Sequence, residues 1–244
     1  MKLTNKTIVI TGGTSGIGYQ MVKHLHVENT ILVIARQSER LDKLLAEFPT
    51  IELYPCDLSK PATYEKVADT LTRTHRRIDI LINNAAIQNT PTYLADDFNY
   101  DAIAPEINLN FTAICALSYL LLPSLLNNGK TAFITNINSG LGLVPKTNSA
   151  VYCATKAAMD MFSQSLNYQL EETNVKVIQA FLPLVDTPMT EGRGKAKITS
   201  IKAATDILAG IEKEIVVNDL GKVKLLRLLL LIAPFIAKKI LKGG

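Results

Sequence analysis

Over the first 183 residues, short apolar runs alternate with longer stretches whose apolar positions recur at helical spacing. The short runs are Thr7–Thr11, Thr30–Ala35, Ile51–Tyr54, Asp79–Asn83, Thr131–Asn136 and Lys176–Phe181, each bounded by turn or cap residues. A run that is apolar at successive positions suits a strand buried on both faces, as in a parallel sheet covered by helices. The stretches between them, among which are Gly16–Glu28, Pro61–His75, Pro105–Leu126 and Ala150–Glu172, have the length of helices. This alternation predicts an α/β fold with a doubly wound parallel sheet and helices on both faces.

Two segments depart from the pattern. From Asp186 to Ile211, around Gly192-Arg193-Gly194-Lys195, strong periodicity is lost. The segment reads as a loop with one or two short helices, placed where flexible loops cover sites at the carboxyl edge of a parallel sheet. Beyond residue 221, the ten apolar residues Leu228–Ala237 read as a tail helix kinked at Pro234. The expected organisation is therefore one domain over residues 1–221 and a tail over 222–244.

Composition changes this picture little. The 244 residues are 48% apolar and 20% charged, as in an ordinary globular chain. Cys56, Cys115 and Cys153 are odd in number and lack C-x-x-C spacing, which fits buried thiols in a reducing compartment. Met1–Lys6 runs straight into the first strand without a charged-then-apolar leader, so a cytoplasmic protein is expected. His24, His26 and His75 sit on polar helix faces without a ligand cluster, and no metal site is expected. Charge is more informative. The net +4 hides six cations and no acid between residues 222 and 242, which leaves the remainder at −2. Basic residues confined to an apolar tail do not fit a nucleic-acid face, which would spread them over the fold with aromatics interleaved.

Thr11-Gly12-Gly13-Thr14-Ser15-Gly16-Ile17-Gly18 leaves the first strand and opens a helix. Glycines there admit unusual backbone angles and let the main chain approach a pyrophosphate at the positive end of the helix dipole. The pattern T-G-x-x-x-G-x-G resembles the short-chain dehydrogenase/reductase family, in its shorter branch of oxidoreductases with a single Rossmann domain. The resemblance implies that Gly12, Thr14, Ser15, Gly16, Ile17 and Gly18 cradle a nicotinamide dinucleotide.

The second strand ends at Arg36, eighteen residues after Gly18, where a NAD(H) enzyme would carry an acid for the ribose 2′-hydroxyl. A guidinium can instead fork onto a 2′-phosphate, with Arg40 assisting, so NADP(H) is the expected cofactor and NAD(H) the second choice. A surface arginine at a strand end is the plainer alternative. Asp57 in Cys56-Asp57-Leu58-Ser59 resembles the family residue that binds the adenine amino group, with Leu58 beside it; it could equally cap the helix starting near Pro61.

Tyr152-Cys153-Ala154-Thr155-Lys156 is Y-x-x-x-K, which places phenol and ammonium on one helix face. A neighbouring cation favours phenolate and brings a phenol of pKa about 10 toward the working range. The family resemblance makes Tyr152 the proton donor and acceptor and gives Lys156 the nicotinamide ribose. It makes Ser139, thirteen residues upstream in Asn138-Ser139-Gly140, the partner of the substrate oxygen. Asn84, Ala85 and Ala86 stand where the family carries N-A-G, so Ala86 replaces a glycine. Asn110 resembles the family asparagine whose locally distorted helix binds a relay water, with Asn108 as its competitor. Pro183, Val185 and Thr187 resemble the P-G-x-V-x-T segment on the carboxamide, with Leu184 in place of the glycine.

The reaction implied is hydride transfer between NADP(H) and a carbonyl/alcohol pair. The competing readings are a NADP(H) sensor or a membrane-surface scaffold, either without turnover. The resemblance also implies a homodimer or homotetramer built on Pro105–Leu126 and Ala150–Glu172. The tail resembles that of the DltE-type oxidoreductases. On one helical wheel Lys224, Arg227, Lys238, Lys239 and Lys242 share an arc of roughly 120°. Two expectations follow: a leucine-lined lid over a pocket for lipophilic substrates, or peripheral contact with the inner membrane surface.

Overall fold

The structure, a computed structural model, describes residues 1–242; Gly243 and Gly244 of the expected tail lie outside the described residues. In chain order, β1 (Thr7–Thr11) leads through a glycine turn to α1 (Gly16–Leu25), followed by β2 (Thr30–Ala35), α2 (Glu39–Glu47), β3 (Glu52–Pro55), α3 (Tyr64–Thr74) and β4 (Ile80–Asn83). The second half contains α4 (Ile103–Ile107), a π-helical turn (Asn108–Thr112), α5 (Ala113–Leu126), β5 (Ala132–Ser139), α6 (Ala150–Gln169) and β6 (Val175–Leu182). After these come the short pair β7 (Val185–Asp186) and β8 (Ile198–Thr199), then α7 (Ser200–Glu212), β9 (Val217–Asp219), α8 (Val223–Ile232) and α9 (Pro234–Lys242).

Seven strands form one parallel sheet in the order β3-β2-β1-β4-β5-β6-β9. Side chains alternate across each strand, so one strand feeds two cores. Ile8 and Ile10 of β1 join Ile31 and Val33 of β2 on the face covered by α1, α2 and α7. Val9, Leu32 and Ile34 join Leu81, Leu117 and Leu121 on the face covered by α3 and α5. Strand order reverses between β1 and β4, and in open α/β sheets ligands bind in the crevice beyond the carboxyl ends at such a switch point.

Two expectations need correction. The stretch 186–211 is not loop with short helices only, because α7 is a thirteen-residue helix packed on α1. Its buried stripe is Ala203, Ala204, Ile207, Leu208 and Ile211, and the Thr199 hydroxyl caps it by accepting the Lys202 N–H. Alanines dilute the hydrophobic signal of that stripe, which hides the helix from periodicity. The tail is likewise two helices broken at Ala233, so the single wheel that gathered its cations into one arc does not apply. Proline lacks the N–H that would continue the first helix, and Pro234 opens the second. Sequence pattern also passed over β9, three residues that complete the sheet edge beside β6.

The helix Tyr100–Leu126 is long and apolar enough to cross a membrane, and 44% of its most apolar window is buried inside the fold. It packs on α3, β5 and α6 and is a core helix of the domain.

Candidate active site

The glycine turn forms where β1 ends at the switch point. Gly12 and Gly16 have φ of 71° and 54°, a left-handed conformation that side chains disfavour. A Cβ on Gly18 would lie 2.1 Å from the Gly12 carbonyl oxygen and 2.6 Å from Asn84 Nδ2, so α1 can start here only on glycine. Asn84 at the end of β4 donates its amide to the Thr11 and Gly12 carbonyls, each at 3.0 Å. The N–H groups of Asn84 and Ala85 in turn donate to the Thr11 hydroxyl at 2.9 and 3.0 Å. These bonds lock the turn to β4.

One cavity of about 1210 Å³ runs over this turn from the end of β2 to the end of β5. At the β2 end it is lined by Arg36 and Arg40 with Asp57 and Leu58. The Asp57 carboxylate accepts the Ser59 N–H and hydroxyl, whereas Lys60 occupies the N-cap position of the short helix at Pro61 without a side-chain cap bond. Helix capping is therefore not the role of Asp57. Burial raises its pKa, but the Ser59 bonds and the charges of Arg36 and Lys60 together hold it below the ordinary aspartate value. Gly12, Thr14, Ser15, Gly16, Ile17, Asn84, Ala85 and Ala86 line the middle. Ser139, Tyr152, Lys156, Pro183, Val185 and Thr187 line the far end. Of the residues singled out from sequence, Gly18 and Asn110 stand outside the lining; Gly18 packs beneath the turn.

At the far end, β5 delivers Ser139 and the adjoining α6 delivers Tyr152 and Lys156. The Lys156 ammonium lies 5.6 Å from the centre of the Tyr152 ring and donates to the Ile137 carbonyl at 2.8 Å. Burial dominates both groups. It pushes Tyr152 up to about 12, with the adjacent Ser139 hydroxyl and Arg193 pulling the other way. It also pulls Lys156 down to about 7. Against the sequence expectation, Lys156 is not among the groups that shift the Tyr152 phenol; burial governs both.

Asn110 is fully buried in the π turn. Its amide accepts the Ile87 N–H at 2.9 Å and donates to the Ile87 carbonyl at 2.8 Å. It pins the loop after β4 to the helix, and the π turn is the local distortion that lets it reach. Its competitor Asn108 points elsewhere and donates to the Ser59 carbonyl.

Sequence reasoning missed several residues here. Arg193 reaches across the cavity and donates to Gln88 Oε1 at 2.9 Å, while Lys146 lines the same wall. Glu106, buried behind that wall, accepts the N–H and the side-chain amide of Asn89; its pKa is raised by burial. The tail was expected as a leucine-lined lid, and Leu226, Leu229 and Leu241 do close one side; what was missed is Arg227, which anchors the tail through a bidentate pair with Asp219 at 2.6 and 2.9 Å. The signal for Arg193 was the loop that contains it, since a cation in a glycine-rich segment above a sheet edge is placed to reach a ligand.

The cavity fits an extended dinucleotide. Cβ atoms are absent where its floor is tightest, cations stand at one end, and a Tyr–Lys–Ser cluster stands at the other. Comparison with known proteins agrees. The short chain dehydrogenase family model matches residues 6–198. The oxidoreductase DltE of Bacillus subtilis is 35% identical over 201 residues, covering 82% of this chain and 79% of its own. Among solved structures, a short chain dehydrogenase from Burkholderia cenocepacia in complex with NADP superposes with a TM-score of 0.87 over 99% of both chains at 20% identity. A short-chain dehydrogenase from Sphingobium yanoikuyae in complex with NADPH gives 0.78 at 27% identity, covering 88% of this chain and 87% of its own. With the parallel sheet, the glycine turn and the Tyr–Lys helix together in one chain, these matches place the protein in the short-chain dehydrogenase/reductase family of oxidoreductases.

Proposed function

We propose that this protein is an NADP(H)-dependent reductase or dehydrogenase of carbonyl/alcohol pairs, with NAD(H) as the weaker cofactor. The observation that carries this reading is the single cavity joining Arg36 to Tyr152 through the glycine turn. When bound, the dinucleotide supplies or accepts the hydride; the protein supplies position and a proton. Arg36 and Arg40 hold the 2′-phosphate, Asp57 and Leu58 take the adenine, and the glycine turn takes the pyrophosphate. Ala85 and Ala86 with Pro183, Val185 and Thr187 shape the nicotinamide end.

In reduction, Tyr152 donates its phenolic proton to the carbonyl oxygen as the carbonyl carbon receives hydride; oxidation reverses both transfers. A phenol held near 12 is protonated at neutral pH, the state that reduction needs. Ser139 stabilises charge developing on the substrate oxygen. Its own oxygen accepts the Leu141 N–H at 3.2 Å, which leaves its proton to donate. Lys156 holds ribose hydroxyls and returns a proton to the tyrosine. Asn110 acts as a positioning residue for the Ile87 loop, next to the relay.

The substrate end is apolar along the tail and cationic at Lys146 and Arg193, which suits a lipophilic carbonyl compound with a polar group at that wall. The assembly is a homodimer or homotetramer in a reducing, cytoplasmic compartment. Loss of NADPH absorbance over a panel of aliphatic ketones and aldehydes tests the activity. Tight NADPH binding with no turnover across the panel would favour a sensor instead.

A further inference from the structure

The two tail helices have an inner and an outer face with different properties. The inner face is fixed. Val223 and Leu226 pack near Gly140, and Arg227 is paired with Asp219 while lying 4.8 Å from the centre of the Phe181 ring. At the far end the Thr147 hydroxyl donates to the Lys242 carbonyl at 2.5 Å. Held at both ends, the pair turns its other face outward. That outer face is apolar: Leu228, Leu231, Ile232 and Phe235 are 52, 80, 70 and 72% exposed. Around it stand Lys224, Lys238, Lys239 and Lys242, all exposed and none in an ion pair among the described residues. No acidic residue occurs between 222 and 242.

We propose that this outer face docks on the surface of an anionic lipid bilayer. Charge decides between occupants. A second copy laid face to face would bring two sets of four unpaired ammonium groups together and leave them uncompensated. An anionic bilayer meets both features at once: leucines and Phe235 enter the headgroup–acyl boundary while the lysines extend to phosphates. Ten and nine residues are too few for either helix to span the hydrocarbon core, so both lie in the interface plane. The inner face of the same helices lines the cavity through Leu226, Leu229 and Leu241, so docking sets the cavity wall against the lipid. The surface itself is independent of the chemistry at Tyr152.

The test is co-sedimentation of the full chain with vesicles of phosphatidylcholine alone or with about one third phosphatidylglycerol. The expected result is sedimentation with the anionic vesicles only, reduced roughly tenfold in half-molar salt. The double substitution Leu231→Ser/Phe235→Ser, at positions outside the cavity lining, abolishes it, and so does Lys238→Glu/Lys239→Glu. Melting temperature and circular dichroism establish that each variant is folded, and the charge-reversed pair decides if the other is not. Equal sedimentation with neutral vesicles, no sedimentation at all, or sedimentation unchanged in both variants overturns the proposal. So does a fall in oligomeric state for Leu231→Ser/Phe235→Ser by light scattering, which would assign the face to another copy.

Discussion

At the residue scale, burial sets the chemistry of the site. Tyr152→Phe keeps the ring and its packing but removes the transferable proton. It should lower kcat by roughly 10²–10⁴ while NADPH affinity by fluorescence titration stays within a few fold. A variant retaining a tenth of wild-type turnover would remove Tyr152 from the proposed role. Arg36→Asp exchanges a phosphate donor for a repelling acid and should weaken NADPH roughly ten- to a hundredfold while improving NADH. Equal affinity of the wild type for both nucleotides would count against the phosphate role. Lys156 makes a prediction about stability. Its folded pKa near 7 lies below the 10.5 of a free lysine, so between these values the unfolded chain holds a proton that the folded chain lacks. Stability of the cofactor-free protein should therefore rise with pH from about 7 to 10, by up to about 1.4 kcal/mol per pH unit from this group. Urea titrations at several pH values should show a flatter dependence for Lys156→Met. An identical slope in the two proteins would mean that the lysine keeps its charge when buried.

At the scale of elements, the glycine turn is packed against β4 and, in the proposed function, also binds the pyrophosphate. Gly18→Ala would drive a methyl group into the Gly12 carbonyl and the Asn84 amide, groups that hold the turn to β4. Overpacking of this kind costs about 1–3 kcal/mol, and the shifted turn should also weaken NADPH binding. Gly129 is the control. It has φ of 67° with open space around it, so alanine there costs about 1 kcal/mol in backbone strain and leaves cofactor affinity alone. Equal effects of the two substitutions on NADPH affinity would deny the turn its role. The π turn at Asn108–Thr112 is a second such element. Sequence favoured Asn110 over its neighbour Asn108 only by family pattern, and the extra residue in the turn aims Asn110 at the Ile87 backbone and Asn108 at Ser59.

For the whole molecule, the faces of α5 and α6 away from the sheet carry Tyr119, Met161 and Tyr168, exposed by about two thirds or more. Exposed aromatics on two long helices motivate the proposed homo-oligomer. Light scattering at micromolar concentration should give a dimer or tetramer, and Tyr119→Glu/Met161→Glu should shift it to monomer. A monomeric wild type would overturn the assembly.

Sequence by itself determined the α/β architecture, because a doubly wound sheet needs apolar runs buried on both faces and that demand is written locally. β1 and β2 were legible to the residue, since each ends at a turn or cap that stops a strand by its own chemistry. The glycine turn, Ser139, Tyr152 and Lys156 were legible for the same reason, being short motifs whose spacing is set by one turn or one helix face. Tertiary structure decided what depends on neighbours distant in the chain. The alanine stripe of α7 is a helix face only against α1, and β9 is a strand only beside β6. Arg193 meets Gln88 across 105 positions of sequence, and the low pKa of Lys156 arises from burial that no local pattern encodes. The tail is the clearest case. Its ten apolar residues were plain in the sequence, but which of them face the cavity and which face outward follows from the break at Ala233 and the anchoring of Arg227 to Asp219, both settled by packing.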